Sequence, residues 1–218
     1  MVFPHPPLAA PDRGPAGEVP TPLPGVRPLR DAGVMKALVV YGSKSGGTEG
    51  LAEMIGRALT DLQWQVTVRP AAEKMSDVGD YDAVLVGGAL YAGRWHKDAR
   101  RFVKRQSAAL RAKPVWLFSS GPLGEAAETA STIEPVTQVA RLMTDIGARG
   151  HETFGGFLSP EATGFPAKAM AKKMAGDWRD EEQARSCAPS PCGCSAAVRS
   201  ARTPRPRAPS SRSPRWPA

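Results

Sequence analysis

The feature that most restricts the fold is a strand, loop and helix run together near residue 40. Lys36-Ala-Leu-Val-Val-Tyr41 is a short, continuous apolar run, the pattern of a strand buried on both faces. A loop of small residues follows, Gly42-Ser-Lys-Ser-Gly-Gly-Thr48. Leu51, Ala52, Ile55, Leu59 and Leu62 then recur at helical spacing and give one apolar face. A strand with no polar face needs cover on both sides, and a helix directly behind it supplies one of them.

The unit repeats. Gln65–Arg69 alternates and predicts a second, more exposed strand. Tyr81–Gly88 predicts a third strand, followed by a loop over Ala89–Trp95. A helix then presents Ala99, Phe102, Val103, Gln106 and Leu110. Pro114–Phe118 predicts a fourth strand, ending in the loop Ser119–Gly124. Pro135 suits the first turn of another helix, whose core face is Val136, Val139, Ala140, Leu142, Met143 and Ile146, with Gly147 closing it. His151–Phe157 predicts a fifth strand. Strands alternating with helices of ten to fifteen residues make βαβ units and a parallel sheet. Right-handed crossovers turn that into a doubly wound sandwich, which binds ligands beyond the carboxyl ends of its strands. Three of those ends carry Gly/Ser-rich loops.

Charge and proline divide the 218-residue chain into three parts. Residues 1–34 hold nine prolines and no net charge, residues 35–183 hold six prolines and a net +1, and residues 184–218 hold seven prolines, seven arginines and no acid. The formal +8 is therefore a property of the last stretch. A domain is expected over 35–183, flanked by a proline-rich extension (1–34) and an Arg/Pro/Ser-rich tail (184–218), both too poor in large apolar residues to offset the entropy of ordering. No apolar run is long enough to span a membrane, and the N-terminus lacks a secretory h-region, so a cytoplasmic setting is expected. Cys187, Cys192 and Cys194 do not have a usual zinc spacing, and no metal site is expected. Nucleic acid is disfavoured as a partner, because the arginines are interleaved with a single aromatic, Trp216.

The loop after the first strand carries the most specific chemistry. Ser43, Ser45 and Thr48 offer hydroxyls, Lys44 a positive charge, and Gly46 and Gly47 let the backbone turn its amides toward an anion at the helix N-terminus. A P-loop requires Lys and Ser/Thr directly after Gly47, where this chain has Thr48 and Glu49. A dinucleotide fingerprint requires an acid at the end of the second strand, where this chain has Arg69.

The stretch Val39-Val-Tyr-Gly-Ser-Lys-Ser-Gly-Gly-Thr48, with Ala52 and Ile55 behind it, resembles the flavodoxin signature. The resemblance extends over nearly all of 35–183. It is closest to bacterial flavodoxin-domain proteins similar to menaquinone-dependent protoporphyrinogen dehydrogenases, on the residues Ala89-Leu-Tyr-Ala-Gly-Arg-Trp-His96, Phe102-Val103 and Gly176-Asp-Trp-Arg-Asp180. It implies a five-stranded parallel sheet of order 2-1-3-4-5 and FMN as cofactor. Ser43, Lys44, Ser45, Gly46, Gly47 and Thr48 would hold the phosphate. Leu90, Tyr91, Ala92 and Gly93 would flank the flavin ring on one side, and Ser119, Ser120, Gly121, Pro122, Leu123 and Gly124 on the other.

Tyr91 and Trp95 either stack on the ring or pack against the following helix. His96 reads as a solvated first-turn residue, and His151 is assigned no role. No catalytic side chain is expected, so the chemistry would be the flavin's own electron transfer. Three functions remain open: an FMN oxidoreductase, a mobile electron carrier, and a flavin-free interaction module. Lys97, Arg100, Arg101, Lys104, Arg105 and Arg111, with Lys168, Lys172 and Lys173, form either a solvated face or a surface for an acidic redox partner, a lipid headgroup or an anionic tetrapyrrole, with a quinone as a further candidate partner.

Asp180 and Gln183 resemble the capping box of a closing helix, yet Pro189 and Pro191 follow within two turns. The expectation is that out-of-frame translation replaced the last helix, the alternative being a genuine disordered tail on a fold completed by a shorter helix, and that translation from an upstream start precedes Met35.

Overall fold

The computed structural model describes residues 34–75, 77–162 and 167–187. The expectations for residues 1–33 and 188–218 lie outside the described residues. Five long strands form one parallel sheet: β1 (Lys36–Gly42), β2 (Gln65–Pro70), β3 (Ala83–Tyr91), β5 (Val115–Ser120) and β6 (Gly150–Phe154). Their order is β2-β1-β3-β5-β6, which is 2-1-3-4-5 when the long strands alone are counted. The additional strand, β4 (Arg94–Trp95), folds back antiparallel on β3, pairing Leu90 with Trp95 and Tyr91 with Arg94.

Alternation along each strand explains the two layers. Leu38 and Val40 of β1, Val84 and Val86 of β3 and Leu117 of β5 point to one face. There they meet Phe102 and Val103 of α2 (Lys97–Arg105), Leu110 of α3 (Ser107–Arg111), and Val139, Leu142 and Ile146 of α5 (Thr137–Ile146). Ala37, Val39, Leu85 and Phe118 point to the other, against Leu51, Ile55 and Leu59 of α1 (Gly47–Asp61). Both faces are dry, which is why these strands read as unbroken apolar runs. The short α4 (Glu125–Glu128) and a 3₁₀ turn (Ala130–Thr132) lead from β5 toward α5.

Several boundaries differ from the expected ones. The helix after β3 is broken into α2 and α3 at Gln106, whose side-chain amide donates to the Met75 carbonyl at 3.1 Å. The predicted loop Ala89–Trp95 is a hairpin, because Ala92 (φ 48°) and Gly93 (φ 70°) form a two-residue turn with both φ positive, the geometry that matches strand twist. The fifth strand stops at Phe154, and Phe157–Leu158 forms its own short strand β7, paired antiparallel with β8 (Gly176–Asp177). A side chain at Gly155 would overlap the Trp178 carbonyl, so the chain turns there onto the new pairing.

Between β7 and β8 lies α6 (Ala167–Met174). Where a missing or replaced last helix was expected, a closing helix α7 spans Glu181–Cys187 among the described residues. Asp180 caps it, its Oδ1 accepting from the Glu182 and Gln183 amides at 2.8 and 3.2 Å. The Gln183 side chain does not return to the cap. Its amide donates instead to Glu152 Oε1 and the Thr153 carbonyl on β6. Ala184, at the edge of the residues expected to form the tail, is fully buried against the α1 face of the sheet.

Candidate functional site

A cleft of about 620 Å³ opens at the carboxyl ends of β1, β3 and β5, within the size range of small-molecule sites. Its floor is the turn between β1 and α1. Gly46 there adopts φ 76°, a conformation that suits glycine, and starts α1 with its carbonyl accepting from the Gly50 amide at 3.0 Å. Gly47 and Thr48, in the first turn of this 15-residue helix, line the cleft, and an anion is the natural complement to the unpaired amides of a helix start.

Ser43 Oγ and Thr48 Oγ1 are buried and have no hydrogen-bond partner. An unpaired buried hydroxyl is costly, and two of them beside free helix amides form a cradle for an oxygen-rich anion. Lys44 and Ser45 are exposed at the lip.

The second wall comes from the β3–β4 hairpin. The Tyr91 hydroxyl accepts from the Lys44 amide at 3.3 Å, bridging the hairpin to the anion loop. Tyr91 is 43% exposed and lines the mouth, an aromatic surface suited to a planar ligand, while Leu90 and Ala92 line the cleft beside it. Gly93 makes the turn and does not line the cleft.

Trp95 packs, with only 1% of its surface exposed. It lies over Gly88 so closely that a Cβ there would stand 2.6 Å from the indole. His96 is also inside. Its Nδ1 accepts from the Asp98 amide at 3.4 Å, capping α2, and the side chain is 12% exposed, so the solvated first-turn expectation does not hold. Burial lowers its pKa, with Asp98 pulling the other way.

The third wall is the loop after β5. Ser120, Gly121 and Leu123 line the cleft. Pro122 is a tether whose carbonyl accepts from the Gly156 amide at 2.7 Å, and Gly124 (φ 62°) turns the chain into α4. Ser119 points away, and its Oγ is bonded to His151 Nε2 at 2.8 Å. The serine is 1% exposed, so this pair joins β5 to β6 and is closed to substrate. Burial pushes the His151 pKa down to about 4, and raises that of the next residue, Glu152.

A fourth wall has no counterpart in the sequence expectations: Gly156, Phe157 and Leu158 of β7, with Ala167 and Met170 of α6. The sequence attached Phe157 to β6 because a two-residue strand carries no periodicity of its own. Among the described residues, no three His, Cys, Asp or Glu side chains come together as metal ligands. Cys187 is a free thiol that burial raises to about 12. No helix among the described residues is long and apolar enough to cross a membrane.

A family model described as the flavodoxin domain matches residues 38–184, from within the first strand into the closing helix. The chain belongs to the flavodoxin domain family. Solved structures similar to it include a flavodoxin from the domain Archaea, with 21% identity, a TM-score of 0.44, and coverage of 63% of this chain and 92% of that one. Oxidised flavodoxin 2 from Bacillus cereus is 22% identical, with a TM-score of 0.44 and coverage of 59% and 88%. Two-electron reduced Megasphaera elsdenii flavodoxin is 22% identical, with a TM-score of 0.42 and coverage of 54% and 85%.

In this flavodoxin domain eleven of the sixteen expected contact residues line one cleft: Ser43, Lys44, Ser45, Gly47, Thr48, Leu90, Tyr91, Ala92, Ser120, Gly121 and Leu123. Gly46, Gly93, Ser119, Pro122 and Gly124 do not line it; Gly46, Gly93 and Gly124 shape its loops, Pro122 tethers one of them, and Ser119 is bonded to β6.

Proposed function

We propose that this protein is an FMN-dependent electron-transfer protein. The observation that carries the reading is the pair of partnerless buried hydroxyls, Ser43 Oγ and Thr48 Oγ1, beneath the amide end of α1. They fit a phosphate monoester better than a bare ring, since charge-assisted hydrogen bonds are the interactions that offset such burial. Bound FMN supplies one- or two-electron transfer.

The chain's own residues bind and orient. Loop 43–48 holds the phosphate end, Tyr91 covers one face of the planar end, and Ser120 and Gly121 present backbone groups at its edge. Leu90, Leu123, Phe157 and Leu158 exclude water and lower the local dielectric, which strengthens every polar contact to the cofactor.

A finer reading makes the protein an oxidoreductase similar to menaquinone-dependent protoporphyrinogen dehydrogenases. It is favoured by α6, whose half-exposed Met170 lines the cleft and whose Lys168, Lys172 and Lys173 make that bordering helix cationic, features suited to an anionic tetrapyrrole. A mobile carrier without a substrate of its own differs in one measurable respect.

The test is titration of the full chain with FMN, followed by flavin fluorescence quenching, then incubation of the loaded protein with protoporphyrinogen and a menaquinone analogue. Uptake without turnover identifies the carrier, and uptake with turnover the oxidoreductase. A chain that stays colourless and leaves flavin fluorescence unchanged refutes both and leaves an interaction module.

A further inference from the structure

The segment Gly176-Asp-Trp-Arg-Asp180 holds a charged residue drawn inward over the anion loop. Only 14% of the Arg179 side chain is exposed. Its guanidinium forks onto Asp177, with Nε to Oδ1 at 2.8 Å and Nη2 to Oδ2 at 2.5 Å, and lies over the Phe157 ring at 4.7 Å. Nη1 reaches the Gly47 carbonyl at 3.5 Å, across 132 residues of sequence. Two glycines make room for this. A methyl at Gly50 would overlap Nη1, and a Cβ at Gly47 would press on the Phe157 backbone at 3.3 Å. Phe157 lines the cleft, and Gly47 is the first residue of the helix whose amides face it.

We propose that Arg179 is a positioning residue that fastens the β7–β8 wall of the cleft to the first turn of α1, so that the phosphate end and the wall along the planar end are ordered as one unit. The side chain does not line the cleft. It acts by holding Phe157 against Gly47, through a stacked guanidinium whose Nε and Nη2 are engaged by Asp177. Lysine cannot replace it, because only the planar fork serves the carboxylate, the ring and the carbonyl together. The inference rests on the cofactor reading above for its consequence, and on apo geometry for its existence.

Hydrogen exchange on the full-length apo protein tests it, read by mass spectrometry over residues 44–51 and 176–180. Arg179→Met is expected to accelerate exchange in both segments by about fivefold or more, as the loss of a charged hydrogen bond does for local opening. Gly50→Ala is the second variant. It raises helix propensity in α1 and displaces the tip of a flexible side chain, so a purely local effect slows exchange over 44–51. The strut predicts faster exchange there, and FMN affinity about tenfold weaker in both variants.

Acceleration confined to 176–180 in Arg179→Met, or slowed exchange with unchanged FMN affinity in Gly50→Ala, overturns the proposal. Should Arg179→Met fail to fold, Gly50→Ala decides. Should the unaltered chain take up no FMN, the cofactor reading falls while the apo exchange still judges the strut.

Discussion

Replacing Thr48 by valine separates the cost of a buried hydroxyl from its use. In the ligand-free protein Thr48 is 1% exposed and its Oγ1 has no partner. An unsatisfied hydroxyl of this kind costs about 1–3 kcal/mol. Valine keeps the branched shape and removes the unpaired oxygen, so Thr48→Val should leave apo stability unchanged or raise it by about 1 kcal/mol, a rise in Tm of about 2–4 °C for a domain of this size. With FMN the sign reverses. A hydroxyl donating to a phosphate oxygen is worth about 1.5–3 kcal/mol, so its loss weakens FMN binding by about 10- to 150-fold. Riboflavin has no phosphate, and its affinity should be the same for both proteins. The assay is flavin fluorescence quenching with each ligand, alongside circular-dichroism melting of the apo proteins. A lowered apo Tm combined with unaltered FMN affinity would refute the reasoning, because Thr48 would then be a packing residue.

Two further outcomes follow from backbone and buried charge. α1 and α5 end in the same six-residue motif, with Trp64 N to Leu59 O at 3.1 Å in one and Ala148 N to Met143 O at 2.9 Å in the other, but the left-handed position is Gln63 (φ 64°) in the first and Gly147 (φ 65°) in the second. Gln63→Gly should therefore raise stability by about 1 kcal/mol and Gly147→Gln lower it by as much, read from urea midpoints. His151 has a folded pKa of about 4 against an ordinary 6.5, so the unfolded chain binds the extra proton between those values. Its contribution is complete above pH 6.5 and is lost as pH falls toward 4, by about 3 kcal/mol in all. Glu152, raised by burial, works the other way, favouring the fold at low pH and losing that contribution as pH rises through its shifted pKa. His151→Gln should flatten the decline between pH 6.5 and 4, and an unaltered slope would exclude His151 as its source.

The long strands were legible because each is buried on both faces: Ala37–Val40 and Val84–Val86 contain no position that faces water. The anion loop was legible because its small residues sit between two strongly patterned elements. What escaped was set by contacts distant in sequence. Trp95 is inward because Gly88, seven positions earlier, leaves a hollow on the neighbouring strand. Phe157 belongs to the cleft because Trp178 donates its amide to the Gly156 carbonyl at 3.0 Å, which no local pattern announces. The Gly176–Asp180 stretch could be marked as distinctive, but its fit to Gly47 and Gly50 exists only once α1 and the β7–β8 pair have been brought together.

That placement has a consequence for synthesis. The floor of the cleft is complete once β1, α1 and β3 are joined, elements that all lie within residues 36–91 and can pair early as the chain is made. Its outer wall waits for β8 and Arg179, near the end of the described residues. A ribosome therefore exposes a half-built cleft for more than half of the domain's translation, and if the proposed Arg179 fastening holds, firm retention of the proposed FMN would wait until residue 179 has emerged. On that reading, FMN capture would report that nearly the whole domain has been made and folded.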